Sequence, residues 1–178
     1  MIARTVRHAD VMALKAGYRL RGRDRAAYVR HMSQFVDRHD RAIADQMLKS
    51  TSASGGLPGI LGIRHLGFEP GRFWGTATVP VELVTRFGNA HGGVTAAIVD
   101  HATGIVVYPL IGPGQWAATT EVKVNYIAPL KAETVEIEAS VVAMTRRSAV
   151  TRCEIYRPGS DRVILAAAQA TLTIVDPR

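Results

Sequence analysis

The chain has 178 residues, 47% of them hydrophobic and 21% charged, with a formal net charge of +7. These proportions are ordinary for a globular protein and exclude a wholly disordered chain, and the length suits one compact domain with an appendage. The most apolar window, residues 94–110, holds Asp100 and His101, so no apolar stretch is expected to approach the ~18–20 residues that cross a bilayer, and the opening residues lack the apolar core of a secretory signal. The one cysteine, Cys153, cannot pair within the chain, so a reducing cytoplasm is the expected compartment.

Residues 1–55 carry 11 Lys and Arg against 5 Asp, so nearly all the positive excess sits there. A weak helix is expected after Asp10, through Met12, Leu14 and Tyr18. Asp24 can cap a second helix, on which Tyr28, Met32, Phe35, Val36, His39, Ile43 and Met47 form one apolar stripe at three- and four-residue steps. The run from Ser50 to Gly56 has linker composition, which divides the chain into a basic helical extension and linker, 1–55, and a domain, 56–178.

Beyond the linker the period changes. Leu61, Ile63 and His65 alternate with smaller or polar neighbours, and residues 73–81 are rich in strand formers after the Glu69-Pro70-Gly71 turn, so the two runs are expected to form a hairpin. Residues 92–108 are apolar on every side and predict one helix buried all round, stopped by Pro109, Gly112, Pro113 and Gly114. Val122, Val124 and Tyr126 then alternate with Glu121, Lys123 and Asn125, and Val135, Ile137, Ala139 and Val141 with Glu136, Glu138 and Ser140. Two last strands, 148–156 and 163–175, flank the turn residues Arg157 to Asp161. One helix covers six strands only if the sheet curls around it. The expectation is therefore an α+β hotdog fold: an antiparallel sheet wrapped around one central helix, with an N-terminal helical extension.

The run Gly88-Asn89-Ala90-His91-Gly92-Gly93, followed by Asp100 inside the apolar helix, is where chemistry concentrates. Gly92 and Gly93 allow close backbone approach, and the first amides of a helix are unsatisfied donors at the positive end of its dipole, suited to a developing oxyanion. A carboxylate on an otherwise apolar helix needs a partner or a wet cavity; it reads either as a core ion pair or as a nucleophile or general base. This run and the later Thr119-Thr120-Glu121-Val122-Lys123-Val124-Asn125-Tyr126-Ile127-Ala128-Pro129 resemble the PaaI-type hotdog thioesterases over residues 57–175. The resemblance implies an acyl-CoA thioesterase, with coenzyme A part of the substrate and no separate cofactor, and a site shared between subunits of a homodimer, commonly a dimer of dimers.

Geometry makes the sharing necessary if both groups act on one bond. Eight residues of helix separate Gly92 from Asp100 by ~12 Å, so the acid must come from a second, antiparallel copy of the helix. The resemblance gives Thr119 the hydroxyl position beside the acid, although a β-branched residue also suits a strand. His91 can orient the substrate or support the departing thiolate, or cap the helix. Several relatives carry an amide side chain six residues before this histidine; here the position is Thr85, with Asn89 nearer. Arg146, Arg147 and Ser148, at a bend between strands, read either as a solvated hairpin or as a place for the phosphates of coenzyme A.

The histidines lack zinc-ligand spacing, and no phosphate-cradling or dinucleotide glycine motif is present, so neither a metal nor a nucleotide cofactor is expected. The alternative function is an acyl-CoA-sensing transcriptional regulator whose basic N-terminal helices contact DNA. Those helices show no defensible helix-turn-helix spacing, and a sensor has no need of an acid at the helix midpoint. Nucleic acid and membrane are not expected partners.

Overall fold

A computed structural model describes residues 33–50, 55–159 and 162–177. Period-two sequence becomes a six-stranded antiparallel sheet of β1 (Arg64–Glu69), β2 (Arg72–Thr78), β3 (Trp116–Tyr126), β4 (Thr134–Met144), β5 (Ser148–Arg157) and β6 (Val163–Val175). The spatial order is β1-β2-β4-β5-β6-β3. Val135, Ile137, Ala139 and Val141 face the core from β4, and Thr151, Cys153 and Ile155 do so from β5. Burial pushes the Cys153 thiol up, out of the reactive range. The first hairpin turns at Pro70-Gly71 as its composition predicts, but β1 starts at Arg64. The preceding Gly56–Ile60 coils into a short helix, so Leu61 and Ile63 enter the core ahead of the strand.

The central helix, Gly92–Ile105, lies across β2 to β6 and buries Val94, Thr95, Ile98, Val99, Ala102 and Thr103. With the turn that follows, Gly92–Leu110 is 19 residues long at a mean hydropathy of 1.3. That is long and apolar enough for a bilayer, contrary to expectation, but half of it is packed inside the protein, as in a core helix. The helix is not buried all round either. Ala96, Ala97 and Gly104 are only half-buried and Asp100 is exposed, so one stripe of small residues and an acid is left uncovered by this chain.

Strand β3 flanks that stripe, running antiparallel to the helix, and is an edge of the sheet, bonded to β6 alone among the described strands. Its register shifts between Thr119 and Glu121, leaving Thr120 as an extra residue whose hydroxyl donates to the Thr171 carbonyl. The shift reverses the side-chain parity. Val122, Val124 and Tyr126 pair with the even positions of β6, whose buried side chains face the core, and the bulge lets Thr119 join them on that face opposite buried Leu172.

The described part of the extension docks on the domain. Phe35 is buried in the common core, over Gly71, where φ is +71° and a Cβ would collide with its ring. The expected continuous helix through residues 28–47 is broken: the chain turns at 37–40, and Asp40 caps a new helix, Arg41–Ser50, by accepting from Ala42 N and Ile43 N at 2.8 and 3.2 Å. A local capping carboxylate outcompetes the continuation of an apolar stripe. The expectations on Asp10, Asp24, Tyr28 and Met32 lie outside the described residues.

Candidate active site

The central helix has two differently built ends. At its start the loop from Val84 closes on itself: Thr85 N donates to the Asn89 carbonyl at 2.8 Å, Gly88 N to the Thr85 carbonyl, and Phe87 N to the Thr85 hydroxyl. Ala90 N donates to the Leu130 carbonyl at 2.7 Å, which ties this loop to the 129–133 segment. There Arg157 clamps Glu133 with two hydrogen bonds and also holds the Pro129 carbonyl. The hydrogen bonds from Arg157 hold the Glu133 carboxyl below its ordinary value. A fixed loop delivers His91 as the N-cap.

His91 Nδ1 accepts from Gly93 N at 3.0 Å, which fixes the neutral ring with its proton on Nε2, on an exposed side chain. This corrects one expectation. The Gly93 amide is already engaged and is not a free oxyanion donor; Gly93 is needed for close approach within the chain, since a Cβ there would sit 3.2 Å from His91 Nδ1. The Gly92 amide, by contrast, has no partner among the described residues and stays available. A Cβ at Gly92 would meet the Tyr126 ring at 3.4 Å, an ordinary contact, so nothing within the chain demands glycine there. The Tyr126 hydroxyl lies 3.3 Å from the Gly92 carbonyl, to which it donates.

Eight residues on, Thr119 Oγ1 donates to Asp100 Oδ1 at 2.7 Å. The bulge makes this possible by turning Thr119 inward. The geometry thus ties β3 to the helix at two points, Thr119 to Asp100 and Tyr126 to Gly92, at opposite ends of the exposed helix stripe. Arg146 and Arg147 are exposed at the β4–β5 turn, where Thr145 and Ser148 bond each other. Ser148 pairs with Thr173 of β6, near the Leu172 that faces Thr119, so this turn lies at the acid end of the sheet.

Two residues without a motif also meet here. His65 of β1 and His101, the neighbour of Asp100, stack with 2.9 Å between their Nε2 atoms, and His65 Nδ1 is 3.0 Å from the Met47 carbonyl. A carbonyl only accepts, so His65 donates through Nδ1 and must accept from His101 Nε2–H; both rings are then neutral. Burial holds both below the ordinary imidazole value, His101 down to about 4, where the neighbouring His65 adds to the effect. The two are 36 positions apart, so no local spacing signals them. Tyr126 was legible as an inward residue from its alternation with Val122 and Val124, but not as a neighbour of the glycines. Among the described residues no three His, Cys, Asp or Glu side chains gather as a metal ion would require.

Comparison with known proteins adds four findings. A family model described as the thioesterase superfamily matches residues 87–164, from the His-Gly-Gly loop to the start of β6. A thioesterase family protein from Silicibacter pomeroyi superposes with a TM-score of 0.67 at 25% identity, covering 74% of this chain and 98% of that one. The E. coli PaaI protein from the phenylacetic acid degradation operon gives 0.67 at 18%, covering 76% and 96%. A Streptococcus mutans protein bound to acetyl CoA gives 0.58 at 24%, covering 65% and 90%. In its fold the chain is similar to these solved structures, the E. coli PaaI protein among them, and its residues 87–164 are similar to the thioesterase superfamily.

Proposed function

We propose that this PaaI-like hotdog chain hydrolyses acyl-CoA thioesters to a free acid and coenzyme A, at two equivalent sites of a homodimer. The reading rests above all on the Thr119–Asp100 hydrogen bond of 2.7 Å on an exposed helix face, beside a helix start whose Gly92 amide is unspent. The thioesterase superfamily match supports the reaction class, and the acetyl CoA carried by the Streptococcus mutans relative supports the substrate class.

The second copy follows from what one chain leaves unfinished. Asp100 and Gly92 are ~12 Å apart along the helix and cannot hold one carbonyl between them. Strand β3 is a long exposed edge with unpaired backbone groups. Antiparallel pairing of two such edges about a two-fold axis midway between Thr119 and Tyr126 sets the Tyr126 end of one chain against the Thr119 end of the other. Each Gly92 amide then faces the Asp100 of the second copy, and the uncovered Ala96, Ala97 and Gly104 stripe becomes interior.

In that site the thioester carbonyl oxygen sits at the Gly92 amide, where the helix dipole favours the negative charge that develops in the tetrahedral intermediate. Asp100 either attacks the carbonyl carbon or takes a proton from the attacking water, with Thr119 fixing one of its oxygens. His91 Nε2–H is the donor available to the substrate. The carbon–sulfur bond breaks with its electron pair on sulfur, and a thiolate leaves readily without a strong acid; where Asp100 has attacked, water then cleaves the acyl–Asp100 anhydride, which releases the free acid and restores the carboxylate. The test is incubation with aliphatic and aromatic acyl-CoAs and titration of the released thiol. Release with at least one acyl class is expected; none across the panel sinks the reading. Salt-sensitive binding to duplex DNA without thiol release would favour the regulator instead.

A further inference from the structure

The sequence assigns Tyr126 no role of its own, yet it touches the residue on which the amide end depends. Its hydroxyl donates to the Gly92 carbonyl at 3.3 Å. That carbonyl and the Gly93 N–H are the two ends of one peptide unit, and the Gly93 N–H donates to His91 Nδ1 at 3.0 Å. We propose that Tyr126 is a positioning residue for His91, acting through the Gly92–Gly93 peptide. The Tyr126 O–H draws electron density toward the carbonyl oxygen, the same peptide's N–H becomes a stronger donor, and His91 Nδ1 is held as its acceptor. The proton of His91 is thereby kept on Nε2.

The physical basis is cooperative polarisation: each hydrogen bond in a chain strengthens the next by roughly 10–30%. An imidazole has two neutral tautomers of similar energy, so a modest bias at Nδ1 decides which nitrogen carries the hydrogen. The geometry constrains Gly93 more than Gly92: a side chain at 93 would crowd His91 Nδ1 at 3.2 Å, whereas a Cβ at 92 would make only an ordinary contact with the Tyr126 ring at 3.4 Å. Tyr126 as a residue is 58% exposed, so its placement here is not a consequence of core burial. Strand β3 ends at Tyr126, and the chain past it is held by Ile127 N and Ala128 N on the Leu165 carbonyl, which fixes the base of the side chain.

The role of the Nε2–H at a substrate rests on the thioesterase reading, whereas the relay is a property of the free protein and is tested there. Tyr126→Phe removes only the hydroxyl. In the wild-type protein the 15N signals of His91, assigned with His91→Gln, should report a bare Nδ1 and a protonated Nε2, and the Gly93 amide proton should lie downfield. In Tyr126→Phe the Gly93 amide should move upfield and the Nδ1–H tautomer should gain population. With an acyl-CoA substrate, kcat should fall about three- to tenfold, the size of one neutral hydrogen bond, with KM unchanged within about twofold. Unmoved Gly93 and His91 signals in Tyr126→Phe overturn the relay whatever the rate does, and shifted signals with an unchanged kcat overturn the positioning role. Both signals are read without substrate, so a protein that released no thiol would count against the functional reading while the relay stood or fell on its own spectra.

Discussion

The two ends of the central helix solve opposite problems. At the Asp100 end the chemistry is carried by a side chain, and the structure around it is a direct contact from Thr119 and, behind it, a neutral imidazole pair reaching to Met47. At the Gly92 end the reactive group is backbone, which cannot be aimed by a rotamer, and the loop is fixed instead by backbone-to-backbone bonds and the charged Arg157–Glu133 clamp. A carboxylate needs one good partner; a bare amide needs the whole segment that carries it to be rigid. That difference predicts which changes hurt, by how much, and at which pH.

The largest effect is expected at the acid. Asp100→Asn keeps size and hydrogen-bonding atoms but removes the charge, so thiol release should drop at least ~10²-fold while the fold, read by circular dichroism, is retained. Gly92→Val should disable the other end, since its branches extend past the ordinary contact a Cβ makes with Tyr126. Mixing the two inactive proteins under subunit exchange gives a heterodimer with one doubly defective and one intact site. Activity should then return toward half of wild type per dimer. Exchange proved by mass without recovered activity would show that each chain keeps its own acid and amide together.

A second difference separates the ends by pH. His101 and His65 bind protons less readily folded than unfolded, so the unfolded chain takes up protons first as pH falls below about 6.5, and stability is lost between there and the folded value near 4 for His101. The ceiling is roughly 3 kcal/mol for a shift of that size. Glu133 has the same sign in a lower pH window. Held low by Arg157, it contributes stability above the ordinary carboxylate value and loses it only as pH drops below about 4.5. Urea unfolding at a series of pH values should therefore show His101→Gln flattening the slope between 6.5 and 4, and Arg157→Met acting on the more acid limb. If His101→Gln leaves the upper slope unchanged, the imidazole pair does not anchor the acid end.

Much of this was legible in the chain. Period-two alternation marked β3 and β4, the turn residues Arg157 to Asp161 marked the β5–β6 hairpin, and the apolar run of 92–108 marked the helix, because burial against one layer and a tight reversal each constrain residue type locally. What was missed depends on events that have no period. The Asp40 cap interrupts an apolar stripe with one carboxylate, and His65 meets His101 only once the sheet curls. The helix was expected to be covered on all sides because its apolar count ignores size. Ala96, Ala97 and Gly104 are small residues that count as hydrophobic whether or not anything in the same chain covers them. The Gly92-Gly93 pair pointed to the right turn but not to the division of labour, since the engagement of one amide by His91 is a matter of a single rotamer.

The smallest of the expected effects concerns Thr119, and it isolates the bulge. A strand that ran through Thr120 in regular alternation, with no bulge, would place Thr119 on the outer face with Glu121, and a hydroxyl there could not reach Asp100. The bulge itself is held by Thr120 Oγ1 on the Thr171 carbonyl. Thr119→Val preserves β-branching and volume while deleting the donor to the carboxylate, so kcat should fall roughly tenfold, in keeping with a hydrogen bond to a charged group. Thr119→Ser retains the hydroxyl and should recover most of the rate. Thr120→Val tests the same contact from one residue away: with its anchor gone, the bulge can slip along the strand and withdraw Thr119 from Asp100, which predicts a loss that Thr119→Val, combined with it, does not deepen. If the two losses instead add, Thr120 affects the site by some route other than the placement of Thr119.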